Sequence, residues 1–419
     1  MNLFGMEEVL FDDTKKRLLE EIGKRMDYSR DISDTEIKEL IDSVLEQDAR
    51  MNLWRVSYRR QMGQELFHSL RGWDVLQQLL DRDDITEIMV NGYDKVFVER
   101  EGRLEASCVK FESEEKLRDV IGRMVSKCNR QVNDSSPIVD ARLFSGERIN
   151  VVLPPVAVGG ATLTIRKFLP EMTDMDKLVR LGSLDKEMAD FLGRLVRAGY
   201  NILISGGTGS GKTTLLGALS AFIPKDQRVI TIEDSAELQI QGIPNLVRLE
   251  TRNANLEGSH EVTIRDLLRT ALRMRPTRII VGEVRGKEAA DLLQCLNTGH
   301  AGSMSTGHAN SSKDMLSRLE MMVLMGMDIP LSAIRSQIAA GIDIVVHLGR
   351  VSDGSRKIME ISEVIGVTDG QVHINRLFSF KETQRNKGRV IGIFEKENGL
   401  QHCDKLQLLE KSLSANVSC

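Results

Sequence analysis

The sequence predicts an α/β protein: a mostly parallel, doubly wound sheet carrying a phosphate-binding loop, preceded by a small α+β domain and a charged helical N-terminal segment. Three observations predict it. From Tyr200 onward, short and nearly continuous apolar runs alternate with amphipathic helical stretches, the pattern of strands buried on both faces. One of these runs, Ile202-Leu203-Ile204-Ser205, leads straight into G-x-x-x-x-G-K-T from Gly206 to Thr213, and the helical run Leu215-Leu216-Gly217-Ala218-Leu219 follows. Between Trp73 and Phe168, short strand-like runs joined by turns surround one amphipathic helix, a different texture that marks a separate α+β domain.

The bulk numbers agree with a soluble globular chain. The 419 residues correspond to roughly two to three domains, and 41% hydrophobic with 28% charged residues is enough to bury real cores. A net charge of -4 and only 4% aromatics argue against a nucleic-acid partner, which needs basic surface and stacking platforms. No run approaches the ~20 apolar residues of a membrane span, and the stretch Met1 to Asp12 is too acidic for a secretory signal. Cys108, Cys128, Cys295, Cys403 and Cys419 form no C-x-x-C pair, which points to a reducing compartment, the cytoplasm, and away from a zinc site or disulfide framework.

In chain order, residues 1–72 read as charged and helical. Ser33-Asp34-Thr35-Glu36 has the form of a capping box, and Ile37, Leu40, Ile41, Val44 and Leu45 follow at helical spacing. Residues 73–168 are the α+β domain, with strands at 85–90, 95–99, 149–153 and 161–165, turns at Asn91-Gly92-Tyr93-Asp94 and Arg100-Glu101-Gly102-Arg103, and a helix carrying Leu117, Val120, Ile121, Met124 and Val125. Arg142 and Arg148 fall in what reads as a loop, and Arg166 closes the last strand. Residues 169–183 read as an exposed linker, after which Ser183 is expected to cap a helix ended by Gly199. Residues 184–419 hold the phosphate loop, with strands at 201–205, 228–232, 278–282, 302–306 and 342–346, then antiparallel strands and a basic, polar end.

The chemistry gathers at one edge. Glycines in Gly206-Gly207-Thr208-Gly209-Ser210-Gly211 let the backbone curl so that its N–H groups cradle phosphate oxygens, and the following helix brings its positive end to the same spot. Lys212 then reaches the β- and γ-phosphates, the Thr213 hydroxyl serves Mg²⁺, and Thr214 completes the cradle, so ATP and Mg²⁺ are the expected ligands. Glu233, Glu283 and His308 each sit at the C-terminal end of a predicted parallel strand, where such sheets bind ligands. One carboxylate, Glu233, can hold the metal directly or through water, and the second, Glu283, can orient or deprotonate the attacking water. His300 and His308 bracket one strand, and either suits a γ-phosphate sensor; Arg285 suits phosphate neutralisation or pairing with Glu283. Arg142, Arg148 and Arg166 are arginines that the preceding domain could offer to the triphosphate, against the plainer reading of surface arginines.

These stretches carry a family. Pro137-Ile138-Val139-Asp140-Ala141-Arg142-Leu143, Ala161 to Phe168, the phosphate loop, Thr231 to Leu238, Arg275-Pro276 through Gly282-Glu283-Val284-Arg285-Gly286, and Asn297 to Ser311 occur in this order. The chain resembles the secretion and pilus-assembly ATPases of type II and type IV systems, with the CpaF-like tight-adherence (Tad) pilus branch the nearest in likeness. The resemblance covers about residues 75–380 and is weak over the first 70 and last 40 residues. It implies a RecA-like ATPase domain assembled as a hexamer, with Arg142, Arg148 and Arg166 meeting the phosphates and Glu283 as the Walker B acid. It also implies a cytoplasmic motor held peripherally at the inner membrane by platform proteins of a pilus or secretion machine. A nucleic-acid translocase on the same core and a nucleotide-gated structural adaptor are the competing readings.

Overall fold

The computed structural model describes residues 3–26, 32–49, 51, 54–100, 103–128, 130–143, 145–167, 174–252, 261–386 and 389–416. The chain divides into two compact units, residues 1–169 and 170–419.

The first unit begins with helices α1 (Leu3–Arg25), α2 (Asp34–Gln47) and α3 (Val56–Leu70). Their apolar stripes meet in a small core of Leu18, Ile22, Ile37, Ile41, Val44, Met62 and Leu66. The capping box forms as the sequence predicts: Ser33 Oγ accepts from the Glu36 amide and Glu36 accepts from the Ser33 amide. After α4 (Gln77–Leu80) come β1 (Ile85–Asn91), β2 (Val96–Arg100), β3 (Arg103–Ala106), α5 (Glu114–Lys127), β4 (Ile138–Arg142), β5 (Arg148–Val152) and β6 (Thr162–Arg166). Among the described residues the six strands form one antiparallel sheet in the order β3-β2-β1-β6-β5-β4. Leu117, Val120, Ile121, Met124 and Val125 of α5 are buried in the same core as Ile88, Val90, Ile149, Val151, Leu163 and Ile165 from the strands. Two expectations are corrected here. Arg142 and Arg148 lie on paired strands, not in a loop, and Arg103 opens an edge strand, not a turn. Strands β4 and β3 are short, five and four residues, and β3 is exposed along its whole length, so the alternation in each is too brief to mark a strand in sequence.

In the second unit, Asp174 caps α6 (Met175–Arg180), whose Met175 and Leu178 are buried in the unit's core. The part of the expected linker from 174 to 183 is thus an integral helix and turn; Leu169 to Thr173 lie outside the described residues. Helix α7 (Lys186–Ala198) is capped by Asp185, which accepts from the Met188 amide at 2.8 Å, one turn-start later than Ser183. The Ser183 carbonyl instead accepts from Ile358. Gly199 ends α7 in the left-handed conformation, φ +81°.

The remaining elements alternate: β7 (Ile202–Gly206), α8 (Lys212–Ser220), β8 (Val229–Glu233), β9 (Leu246–Glu250), α9 (Ile264–Ala271), β10 (Arg278–Val284), α10 (Glu288–Asn297), β11 (Met304–Gly307), α11 (Ser312–Gly326), α12 (Leu331–Gly341) and β12 (Ile344–Arg350). Strands β13 (Arg356–Thr368), β14 (Gln371–Asn386) and β15 (Arg389–Lys396) and helix α13 (Asp404–Asn416) complete it. Among the described residues the sheet runs β15-β14-β13-β12-β7-β11-β10-β8-β9, parallel from β12 to β9 and antiparallel from β12 to β15. Ile202 and Ile204 of β7 enter the core on one face and Leu203 the core on the other, so the central strands are covered on both sides. The polar end expected after β15 holds helix α13, tied down by Lys405, whose Nζ lies 2.7 Å from Asp343. The methionine-rich stretch divides along α11: Met315, Leu316, Leu319, Met322 and Val323 are core, and Met321, Leu324 and Met325 are exposed.

Candidate active site

The site is built where β7, β8, β10 and β11 end on the same edge of the second unit's parallel sheet. The loop Gly206–Gly211 leaves β7 here because its glycines can adopt what other residues cannot. A Cβ on Gly206 would sit 2.5 Å from both the Leu348 carbonyl and Ser210 Oγ, and Gly209 and Gly211 have φ +69° and +96°. Gly207, Thr208 and Gly209 are exposed and Ser210 buried, and Gly211 serves as N-cap of α8, so Lys212, Thr213 and Thr214 form its first turn. This is a cradle of backbone donors at a helix N-terminus, open to an anion. Buried Lys212 donates to the carbonyls of Gly206 at 3.2 Å and Gly207 at 2.9 Å. Its ammonium has a lowered pKa, chiefly from burial, with Glu283 opposing and Arg285 adding to the effect.

Glu283 stands within reach of three cationic or titratable neighbours. Arg285 donates to its Oε2 at 2.7 Å, and His308 Nε2 lies 2.8 Å from Oε1. Burial pushes its pKa up, but Arg285, with His308 and Lys212, outweighs burial and holds the carboxyl below its usual range. Arg285 also faces Asp234 at 3.6 Å, so it ties the ends of β8 and β10 together. His308 is shifted the other way: burial lowers its pKa, Lys212, Arg285 and Arg318 reinforce that, and only Glu283 opposes it. Next to them Glu233 is almost fully buried. Its Oε2 accepts from the amides of Glu237 and Leu238 at 2.8 and 2.7 Å, while Oε1 has no hydrogen-bond partner. Desolvation raises its pKa against those two amide bonds. Gly282 makes the packing possible, because a Cβ there would sit 2.9 Å from Glu233 Cγ.

The residues present suit a hard divalent cation. Glu233 has an unpartnered carboxylate oxygen, a raised pKa and no ion pair among the described residues, and the half-buried Thr213 hydroxyl makes no protein hydrogen bond among them. A hydroxyl and a carboxylate, completed by phosphate oxygens and water, are a set that Mg²⁺ accepts. Among the described residues no group of three or more His, Cys, Asp or Glu could hold a metal without such help.

Of the two histidines, only His308 is at this edge. His300 precedes β11 at the opposite end, with Nδ1 3.2 Å from the Cys295 carbonyl. Arg142, Arg148 and Arg166 belong to the first unit, where the strand register brings them into a single row: Arg142 faces Arg148, and Arg148 faces Arg166. Glu87 continues the row beyond Arg166, and burial together with Glu99 raises its pKa against the pull of Arg166. One contact had no signal in the sequence. His347 on β12 shares a 2.8 Å hydrogen bond with Ser205, the residue before the loop, and both are buried. It depends on β12 lying beside β7, which local sequence does not reveal.

A family model described as type II/IV secretion system protein matches residues 70–408. The chain belongs to that family. Among its relatives, a putative conjugal transfer protein of Mycobacterium tuberculosis is 39% identical over 309 residues, 72% of this chain and 87% of the relative. The type IV secretion system protein VirB11 of Brucella suis is 37% identical over 317 residues, 69% of this chain and 87% of that one. Two solved structures share the fold at low identity: the Legionella pneumophila ATPase DotB (19% identical, TM-score 0.50, 71% of this chain and 81% of that one) and the pilus retraction motor PilT with bound ADP (21%, 0.52, 71% and 83%). This secretion-family chain accordingly has a RecA-like phosphate-loop unit behind an α+β unit that starts with helices.

Proposed function

We propose that this secretion-family protein is an ATP hydrolase that works as a hexameric motor for pilus assembly or protein secretion, of the Tad type, on the cytoplasmic face of the inner membrane. The observation that carries the reading is the convergence of Lys212, Glu283 and His308 beside a glycine cradle at the C-terminal edge of a parallel sheet. In it the amides of Gly206 to Thr214 and the α8 terminus bind the phosphate chain, and Lys212 leaves the loop carbonyls for the β- and γ-phosphates. Glu283, kept ionised by Arg285, accepts a hydrogen bond from the water that attacks the γ-phosphorus and aligns it. His308, kept neutral near pH 7, touches Glu283 and reads whether the γ-phosphate is present. Thr213 and Glu233 would hold Mg²⁺, directly or through water, and bound Mg²⁺ neutralises charge on the phosphate oxygens. The row Arg142, Arg148 and Arg166 is the arginine source that the α+β domain offers to the triphosphate, from the same or a neighbouring subunit. Platform proteins of the inner membrane are the partners this motor would move; among the described residues no helix is long and apolar enough to cross a membrane itself.

Phosphate release and nucleotide binding test the reading together. Glu283→Gln keeps the shape of the site and removes its charge, so it should bind ATP and lose about 10²–10⁴ in turnover. Lys212→Ala should weaken binding of ATP itself. Near wild-type turnover of Glu283→Gln would remove Glu283 from the reaction.

A further inference from the structure

The β12–β13 hairpin forms the flank of the phosphate loop that lies away from Glu283. In the sheet, β11 and β10, which deliver His308 and Glu283, lie on one side of β7, and β12 and β13 lie on the other. This hairpin touches the loop at two points. The Leu348 carbonyl closes on Gly206, and the Arg356 side chain reaches Gly211, with Cδ 3.5 Å from where a Cβ on that glycine would be. Arg356 is exposed, and among the described residues its guanidinium makes no hydrogen bond and no ion pair. Its cross-strand partner is Arg350, whose guanidinium donates to the Gly354 carbonyl at 3.2 Å in the turn, so Arg350 is taken up locally while Arg356 extends toward the loop. Asp353, in the turn between them, does not serve Arg356: its carboxylate accepts from the amides of Ser355 and Val390 at 2.8 and 2.7 Å, which ties the turn to β15.

We infer that Arg356 is a nucleotide-binding residue, its guanidinium meeting the nucleoside-side phosphate of ATP or ADP on the flank of the loop opposite Glu283. The inference rests on the ATP-site reading above. The γ-phosphate end belongs beside Glu283 and His308, and the phosphate chain runs from there across the loop. A cation on the other flank therefore meets the part of the nucleotide that ATP and ADP share. The fork of the guanidinium matches phosphate oxygens in pairs, and the stem packed on Gly211 limits the rotamer freedom lost on binding.

The test is the binding of fluorescent ADP and ATP to the full chain, wild type against Arg356→Ala and Arg356→Lys, alongside steady-state phosphate release. Arg356→Ala should weaken ADP and ATP equally, by about tenfold, the loss of one charge-assisted pair. The change should appear in KM and not in kcat, with Arg356→Lys falling between. Lysine keeps the charge and the stem, so a folding defect in the alanine variant would not imitate that order. ADP affinity of Arg356→Ala within twofold of wild type would overturn the inference and leave the ATPase reading standing. A loss confined to ATP would overturn it too, by placing Arg356 at the γ-phosphate. A wild-type chain that binds neither nucleotide would remove both readings.

Discussion

Three side chains at the site, of which Glu283 and His308 touch, are shifted in different directions by their surroundings. Arg285 and its neighbours keep Glu283 ionised, burial keeps His308 neutral, and burial without an ion pair raises Glu233. The pH dependence follows. A histidine with a lowered pKa remains neutral until the pH has fallen below the ordinary value of 6.5, and the unfolded chain takes up that proton first. Its contribution to stability is therefore complete above 6.5 and is lost as the pH drops through the lowered value. Turnover should stay level as pH falls to 6.5 and decline only beneath it; an acid limb with an apparent pKa above 6.5 in the pH–rate profile would contradict this. Gly282 has a comparable reach. Gly282→Ala places a methyl 2.9 Å from Glu233 Cγ and must displace that carboxylate, so phosphate release should fall by up to about 10²-fold while ADP binding persists.

At the scale of elements, what could be read in advance follows a physical division. The phosphate loop is contiguous, and strand before it and helix after it are local patterns, so β7, the loop and α8 were legible, as were the strands that end at Glu233, Glu283 and near His308. Contacts made by strand order were not. Ser205 meets His347, and Gly211 meets Arg356, because β12 returns beside β7 after more than a hundred residues. The arginine row was half legible: Arg166 closes a recognisable strand, but β4 is too short to announce that Arg142 is on one. Helix starts show the same limit, since Ser183 and Asp185 are both good caps in sequence and only the path of the chain chooses Asp185. Asp185→Ala should accordingly destabilise the second unit by about 1 kcal/mol, seen as a lowered midpoint in urea unfolding followed by circular dichroism; an unchanged midpoint would mean that α7 does not depend on this cap.

For the whole molecule, the family match over residues 70–408 and the RecA-like second unit establish the frame, and the site chemistry gives it a use. The acidic net charge and scarce aromatics weigh against nucleic acid as the cargo of the motor we propose. If the working form is a ring, specific turnover should rise steeply with protein concentration through the assembly range; full activity in a dilute monomer, judged by light scattering, would contradict the ring. The central claim is that Glu283 at the end of β10 turns a phosphate-binding loop into an ATP-hydrolysing site. Phosphate release from ATP by the purified full chain, wild type beside Glu283→Gln, tests it most directly. Wild type should release phosphate steadily and the variant almost none, with ATP still bound; equal release by both, or none by either, would rule out that role for Glu283.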